Sequence, residues 1–201
     1  MNTSKLSTKD VERKLNSFDY KKLDKPGKNK GDRGQLLENA LGIKNSSDLV
    51  DLIDGELKTF TVGESIAVTQ IKHCLDEIIE SSVSYKNSKI GKKLKQTIYV
   101  GFDRKNNFMG AATFNEKKFP THYEHLEEDF NYISDKIRLA FKEKDELHTI
   151  NGPNKLLQIR TKASKVKGSY TPLIFRGHQL KNKYMAFYLR ASFGKSIVDD
   201  K

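Results

Sequence analysis

A single cysteine, Cys74, is all that the 201 residues offer. No intramolecular disulfide can form, and no cysteine-rich zinc cage can be built. No run approaches the ~20 apolar residues of a membrane-spanning helix. The N-terminal stretch, Met1 to Leu15, is polar and charged where a secretory leader would be apolar. Proline and glycine are scarce, at 4 and 13, which argues against a disordered or collagen-like chain. No internal repeat, low-complexity tract or Gly/Ser linker divides the sequence. No glycine-rich phosphate loop supports nucleotide hydrolysis. These absences lead us to expect one soluble, cytoplasmic domain over residues 1–201, stabilised by packing.

What the chain has in excess is positive charge. Lys and Arg number 37 against 26 Asp and Glu, a formal net charge of +11, with a pI near 9.5. The basic residues are spread over loops and turns, and no basic amphipathic helix carries a bulky apolar face. Nucleic acid is therefore expected as the polyanionic partner rather than a membrane; the alternative is that the charge serves solubility alone.

Hydrophobic periodicity gives a mixed α/β pattern. Thr8 to Leu15 reads as a short helix capped by Ser7 or Thr8, and Lys21 to Lys30, with Pro26-Gly27, as a basic loop. A second helix runs from Asp32 to Leu41, with Leu36, Leu37, Ala40 and Leu41 on its apolar side and Gly42 placed to end it. Leu49 to Ile53 and Glu56 to Phe60 read as two strands turning on Asp54-Gly55. Further strands are expected over Glu64 to Ile71, Gln96 to Phe102 and Phe108 to Phe114, the last two paired across a turn at Arg104 to Asn107, and over Leu156 to Arg160. The clearest helix is Glu124 to Phe141, where Leu126, Phe130, Ile133, Ile137 and Ala140 keep the three-four spacing. Thr161 to Thr171 reads as a basic loop and Lys183 to Phe193 as a closing helix. The fold class is α/β, with a central mixed β-sheet flanked by helices.

One acidic and basic cluster has the composition of a catalytic site. In a two-residue hairpin at Asp54-Gly55, Asp51 lies opposite Lys58 and Ile53 opposite Glu56, all on one face because side chains alternate with period two. Asp48 has the wrong parity, unless a bulge intervenes. Two carboxylates a few ångströms apart make a hard oxygen site suited to Mg²⁺, which keeps several waters and accepts phosphate oxygens as well. Lys58 is placed to orient or help deprotonate an attacking water and balance charge on phosphorus, and Glu38 to reach the same site as an additional or water-mediated ligand. The alternative reading of the D-x₄-E-x-K string is a solvated, alternately charged strand.

The string Lys30-Gly31-Asp32-Arg33-Gly34-Gln35-Leu36-Leu37-Glu38 followed by Gly55-Glu56-Leu57-Lys58-Thr59 resembles the MutH-type endonucleases. These are a branch of the PD-(D/E)xK nucleases that includes a mismatch-repair nickase and type II restriction enzymes cutting GATC. The likeness continues through Ser88-Lys89-Ile90, Lys93-Leu94-Lys95 and Ile98-Tyr99-Val100, then Glu128-Asp129-Phe130, then Leu157-Gln158-Ile159-Arg160-Thr161-Lys162-Ala163. It ends in Leu180-Lys181-Asn182-Lys183-Tyr184 through Leu189-Arg190. Order and approximate spacing hold from about Lys30 to Phe193.

The resemblance implies a restriction-endonuclease-like fold with a cleft between two arms, and Mg²⁺-dependent cleavage of double-stranded DNA. Asp51, Glu56 and Lys58 are then the catalytic set, with Asp48 as the other aspartate that fits the family's sequence context. Glu38 is an acidic neighbour, and Asp51, Glu56 and Glu38 are the metal ligands. Lys30 reaches the DNA backbone or the active site. Arg160 and Lys162 match base-reading positions and suit guanine O6 and N7 in the major groove, with phosphate contact as the alternative. Gln179 stands where the family's nickase has an aromatic implicated in sensing adenine methylation, and Thr161 where it has proline. Lys165, Lys167, Lys181 and Arg190 are candidates for phosphate contact. The implied activity is that of a type II restriction enzyme acting at GATC or a similar short palindrome, as a homodimer. The alternatives are a strand-nicking repair enzyme that depends on a MutL-like partner, and a DNA-binding module without catalysis.

Overall fold

A computed structural model describes residues 5–24, 26–27, 31–44, 48–80, 83–162, 165–166, 169–170 and 172–199, the side chains at 165–166, 169, 178–182 and 199 apart. The chain is mixed α/β and forms two compact units, each assembled from separated stretches of sequence. The first takes residues up to Glu64, Lys93–Phe119 and those from Gly194 onward; the second takes Ser65–Lys92 and Pro120–Phe193.

In the first unit, helix α1 (Thr8–Asn16) begins on a reciprocal cap. The Ser7 side chain accepts from the Asp10 N–H, and the Asp10 carboxylate accepts from Ser7. Val11 and Leu15 form its buried stripe. Helix α2 (Asp32–Leu41) buries Leu37 and Leu41, one turn apart, and ends at Gly42, whose φ of 75° lies in the left-handed region. These residues pack with Ile43, Leu52, Leu57, Ile98, Val100 and Phe102 into one apolar core.

The sheet beneath has three strands. Strand β3 (Gln96–Phe102) is central, parallel to β1 (Glu56–Thr61) and antiparallel to β4 (Phe108–Asn115). Burial on both faces explains the near-continuous apolar run of β3.

In the second unit, β2 (Ile66–Gln70) opens an antiparallel sheet. It is completed by β5 (Ile150–Asn151), β6 (Leu157–Thr161) and β11 (Met185–Leu189), in the order β2-β11-β6-β5. Helix α5 (Pro120–Glu143) packs on β5 and β6. Its fully buried Asp129 accepts the N–H groups of Asn154, Leu156 and Leu157 at 2.7, 2.8 and 2.8 Å, which fixes the turn into β6. Two short antiparallel pairs, β7 (Lys165–Val166) with β8 (Ser169–Tyr170) and β9 (Pro172–Phe175) with β10 (His178–Lys183), fill the region before β11. Helices α3 (Leu75–Ile79), α4 (Lys89–Leu94) and α6 (Ala191–Asp199) complete the elements. Among the described residues no helix is long and apolar enough to cross a membrane.

Three expectations are corrected. Leu49 to Ile53 is not a strand, and Asp54-Gly55 is not a hairpin turn: β1 pairs in parallel with β3 instead, and residues 48–54 form an irregular loop. Gly55 is needed for space rather than for a turn, since a Cβ there would stand 2.5 Å from the Gln96 carbonyl oxygen. The segment Lys183 to Phe193 is not a helix. Its Met-Ala-Phe-Tyr-Leu run is buried at every position as strand β11, flanked by strands on both sides, and the closing helix starts at Ala191. The stretch Thr161 to Thr171 is a loop only in part, since it contains β7 and β8.

Candidate active site

Strand β1 places Glu56 and Lys58 two residues apart on one face, as strand parity requires. Glu56 is only 3% exposed. A carboxylate so buried is costly unless paired, and Lys58 Nζ stands 2.5 Å from its Oε1. The parallel register sets Glu56 beside Thr97, so Lys93, in the last turn of α4 just before β3, reaches it. Its Nζ lies 3.4 Å from both carboxylate oxygens.

Helix α2 lies against β1. A Cβ at Gly34 would meet Thr59 Oγ1 at 3.4 Å and Glu38 Oε1 at 3.8 Å, ordinary contact distances, so this turn of α2 faces β1 at normal packing distance. Glu38, one turn further along α2, has its carboxyl pushed above the usual range, first by burial and then by the charges of Asp51 and Glu56, with Lys58 opposing. Asp51 is also raised, first by burial and then by Glu56, against Lys58, Lys93 and Lys5. Both shifts have the sign expected for carboxylates crowded together away from water. Tyr99, wholly buried in β3 as the register partner of Lys58, is held neutral by burial and then by the Glu56 charge. Asp48 pairs with Lys5 Nζ at 2.7 Å and has a side chain 62% exposed.

Glu38, Asp51, Glu56 and Lys58 are thus brought into one electrostatic cluster, with Asp51 rather than Asp48 as its aspartate. The hairpin parity that led to Asp51 does not exist in the fold. The aspartate arrives on the irregular loop, while the Glu56 and Lys58 parity holds because both lie on β1. Among the described residues no three His, Cys, Asp or Glu side chains cage a metal by themselves. The donor set still fits Mg²⁺, which takes one or two carboxylates and completes its shell with water and phosphate oxygens. Asp51 and Glu56 would be the two carboxylates to hold it, with Glu38 as the acidic neighbour.

Those of the candidate DNA-contacting residues that are described lie in the second unit. Arg160, on β6, holds its guanidinium 4.1 Å from the centre of the Tyr188 ring. The register pairs Arg160 with Ala186 and Gln158 with Tyr188, so the two form a diagonal cross-strand contact. Lys162 is exposed and its N–H donates to the Tyr184 carbonyl at 2.9 Å. The Arg190 N–H donates to the Leu156 carbonyl at 2.8 Å, between β11 and α6. Lys165 belongs to β7, and Gln179 and Lys181 to β10; their side chains, and all of Lys30 and Lys167, lie outside the described residues.

Two residues escaped the sequence reading. Lys93 sits in the run Lys92-Lys93-Leu94-Lys95, where nothing distinguishes one lysine from another until the parallel pairing of β1 and β3 selects it. Tyr188 was placed on an expected helix; read as a strand, alternation would have set it on the face that reaches Arg160. Neither protein-family models nor curated protein sequences give a match to this chain.

Proposed function

We propose that this protein is a Mg²⁺-dependent endonuclease of the MutH type, with a restriction-endonuclease-like fold, that hydrolyses phosphodiesters of double-stranded DNA at a short specific site. The observation that carries the reading is the convergence of Glu38, Asp51, Glu56, Lys58 and Lys93 around the first strand of a parallel pair. A cluster in which Glu56 raises the Asp51 pKa, both raise that of Glu38, and two lysines face Glu56 suits a site that must hold a cation, a water and an anionic phosphate together.

In this reading Asp51 and Glu56 would hold the metal, which would supply charge neutralisation at the scissile phosphate and a lowered pKa for a water. Glu56 fixes the Lys58 ammonium, which orients the attacking water and donates to the phosphoryl oxygens as charge builds on them. Lys93, at 3.4 Å from both oxygens, adds to the compensation of the Glu56 charge. The water oxygen bonds to phosphorus and the bond to the 3′ oxygen breaks, leaving a 5′-phosphate and a 3′-hydroxyl. Arg160 and Lys162 supply contacts to base edges or phosphates. The net charge of +11 provides the long-range attraction to DNA.

We propose a restriction enzyme acting as a homodimer on a palindrome such as GATC. Incubation with Mg²⁺ and supercoiled plasmid, unmethylated or methylated at GATC adenines, tests it. Linear fragments ending at one short sequence are the expected products. Nicked circles alone would replace the restriction role with that of a repair nickase, and intact plasmid bound tightly would replace it with a DNA-binding module.

A further inference from the structure

The loop that carries Asp51 has neither helix nor strand from Asp48 to Asp54, yet it is tied at several points to the start of the chain. Lys5 Nζ donates to the Val50 carbonyl at 2.8 Å and pairs with Asp48 at 2.7 Å. The Ile53 N–H donates to the Leu6 carbonyl at 3.0 Å. The Thr8 N–H and hydroxyl donate to the two oxygens of Asp54 at 2.7 and 2.8 Å. The Gln96 amide, at the first residue of β3, donates to the Thr8 hydroxyl at 2.5 Å and to Asp54 Oδ2 at 3.1 Å. At Gly55 the three segments meet without room for a side chain, because a Cβ would stand 2.5 Å from the Gln96 carbonyl oxygen and 2.7 Å from Thr8 Cγ2. Leu52, next to Asp51, is buried in the core with Val11 and Leu15.

The physical need for such ties is plain. Asp51 faces two like charges, Glu56 and Glu38, and a loop free to move would relieve the repulsion by turning its carboxylate out to water. The loop has no helix or strand ladder, so it is held by single backbone bonds, Ile53 N–H to the Leu6 carbonyl and Leu52 N–H to the Gly55 carbonyl, together with side chains. We propose that Thr8, Asp54 and Gln96 form a positioning triad that holds the Asp51 loop beside Glu56, making the segment Lys5 to Thr8 a working part of the site. Its consequence for catalysis rests on the endonuclease reading; the restraint itself does not.

Thr8→Val removes the hydroxyl at constant shape, Thr8→Ser restores it, and Asp54→Ala removes the acceptor. Amide hydrogen exchange at Leu52 and Ile53 reads the loop, with Ile98 and Val100 of β3 reporting global unfolding. Mn²⁺ affinity by titration calorimetry and the steady-state kinetics of plasmid cleavage read the site. In Thr8→Val and Asp54→Ala, exchange at Leu52 and Ile53 should accelerate at least ~10-fold while β3 stays protected. Mn²⁺ binding should weaken ~10–100-fold, and kcat should fall ~100-fold with KM for DNA nearly unchanged. Thr8→Ser should resemble the wild type in every readout. Unchanged exchange in both disruptive variants would overturn the proposal, as would Thr8→Ser behaving like Thr8→Val. A wild-type protein that neither binds Mn²⁺ nor cuts would refute the endonuclease reading, and the exchange comparison would still decide the triad.

Discussion

Lys93 Nζ lies 3.4 Å from both carboxylate oxygens of Glu56, and Lys58 Nζ lies 2.5 Å from one of them. A buried carboxylate is therefore shared between one lysine of its own strand and one that precedes the neighbouring strand. The arrangement depends on β1 and β3 running parallel, because only that register brings the end of α4 to the first residue of β1.

Removing either lysine leaves Glu56 with one of its two cationic partners. Lys58→Met should cost about 1–3 kcal/mol of stability, less than the loss of a sole buried partner because Lys93 remains. Lys93→Met should cost less, since its contacts are longer. Urea denaturation of both variants, alone and combined with Glu56→Gln, measures this. The cost of each lysine change should shrink when Glu56 is already neutral, as double-mutant coupling requires.

Asp51 and Glu38 give the fold a pH dependence of definite sign. Their folded pKa values lie above the ordinary 3.8 and 4.5, so the native state binds more protons than the unfolded chain in that window. Stability is then lost as pH rises from the ordinary carboxylate range through the raised values. Asp51→Asn and Glu38→Gln should each raise the melting temperature at neutral pH by a few degrees, and the gain should vanish at pH 3, where the native carboxyls are already protonated. Thermal unfolding of the three proteins across pH 3–8 checks both parts.

Mg²⁺ should raise the wild-type melting temperature, since a ligand that binds only the native state stabilises it by mass action. The same addition should leave Asp51→Asn nearly unmoved. A shift retained by Asp51→Asn but lost in Asp48→Asn would show that the metal ligand is the other aspartate.

Arg160 rests on Tyr188, and a cation above an aromatic face is worth about 0.5–2 kcal/mol. Arg160→Ala should reduce the preference for the specific site by about 1–3 kcal/mol. Tyr188→Leu should reproduce part of that loss, whereas Tyr188→Phe, which keeps the ring, should not. Competition binding between specific and random duplexes distinguishes a base contact from a phosphate contact, because the latter weakens both alike.

The sequence was most legible where local signals act alone. Ser7 capping α1, Gly42 ending α2, and the apolar run of β3 turning back as β4 are each specified by neighbouring residues, and each stands where the sequence pattern and capping put it. The pairing of β1 was not legible. Asp54-Gly55 has hairpin chemistry, but Asp54 is bound to Thr8 and Gln96, and residues distant in sequence decided the outcome. Strand β11 was misread for a related reason, since a five-residue apolar run fits a buried strand as well as a helix until flanking strands are known. Glu56 and Lys58 were legible as a pair because they share one strand. Asp51 reached the cluster by a route the parity argument did not contain.

The most direct test compares wild type with Glu56→Gln on supercoiled plasmid in Mg²⁺, with DNA binding measured on the same preparations. Wild type should yield discrete fragments only when Mg²⁺ is present, and Glu56→Gln should bind the same DNA while cutting at least ~100-fold more slowly. Undiminished cutting by Glu56→Gln, or a wild type that binds DNA and leaves it intact in Mg²⁺, would contradict a catalytic centre built around Glu56.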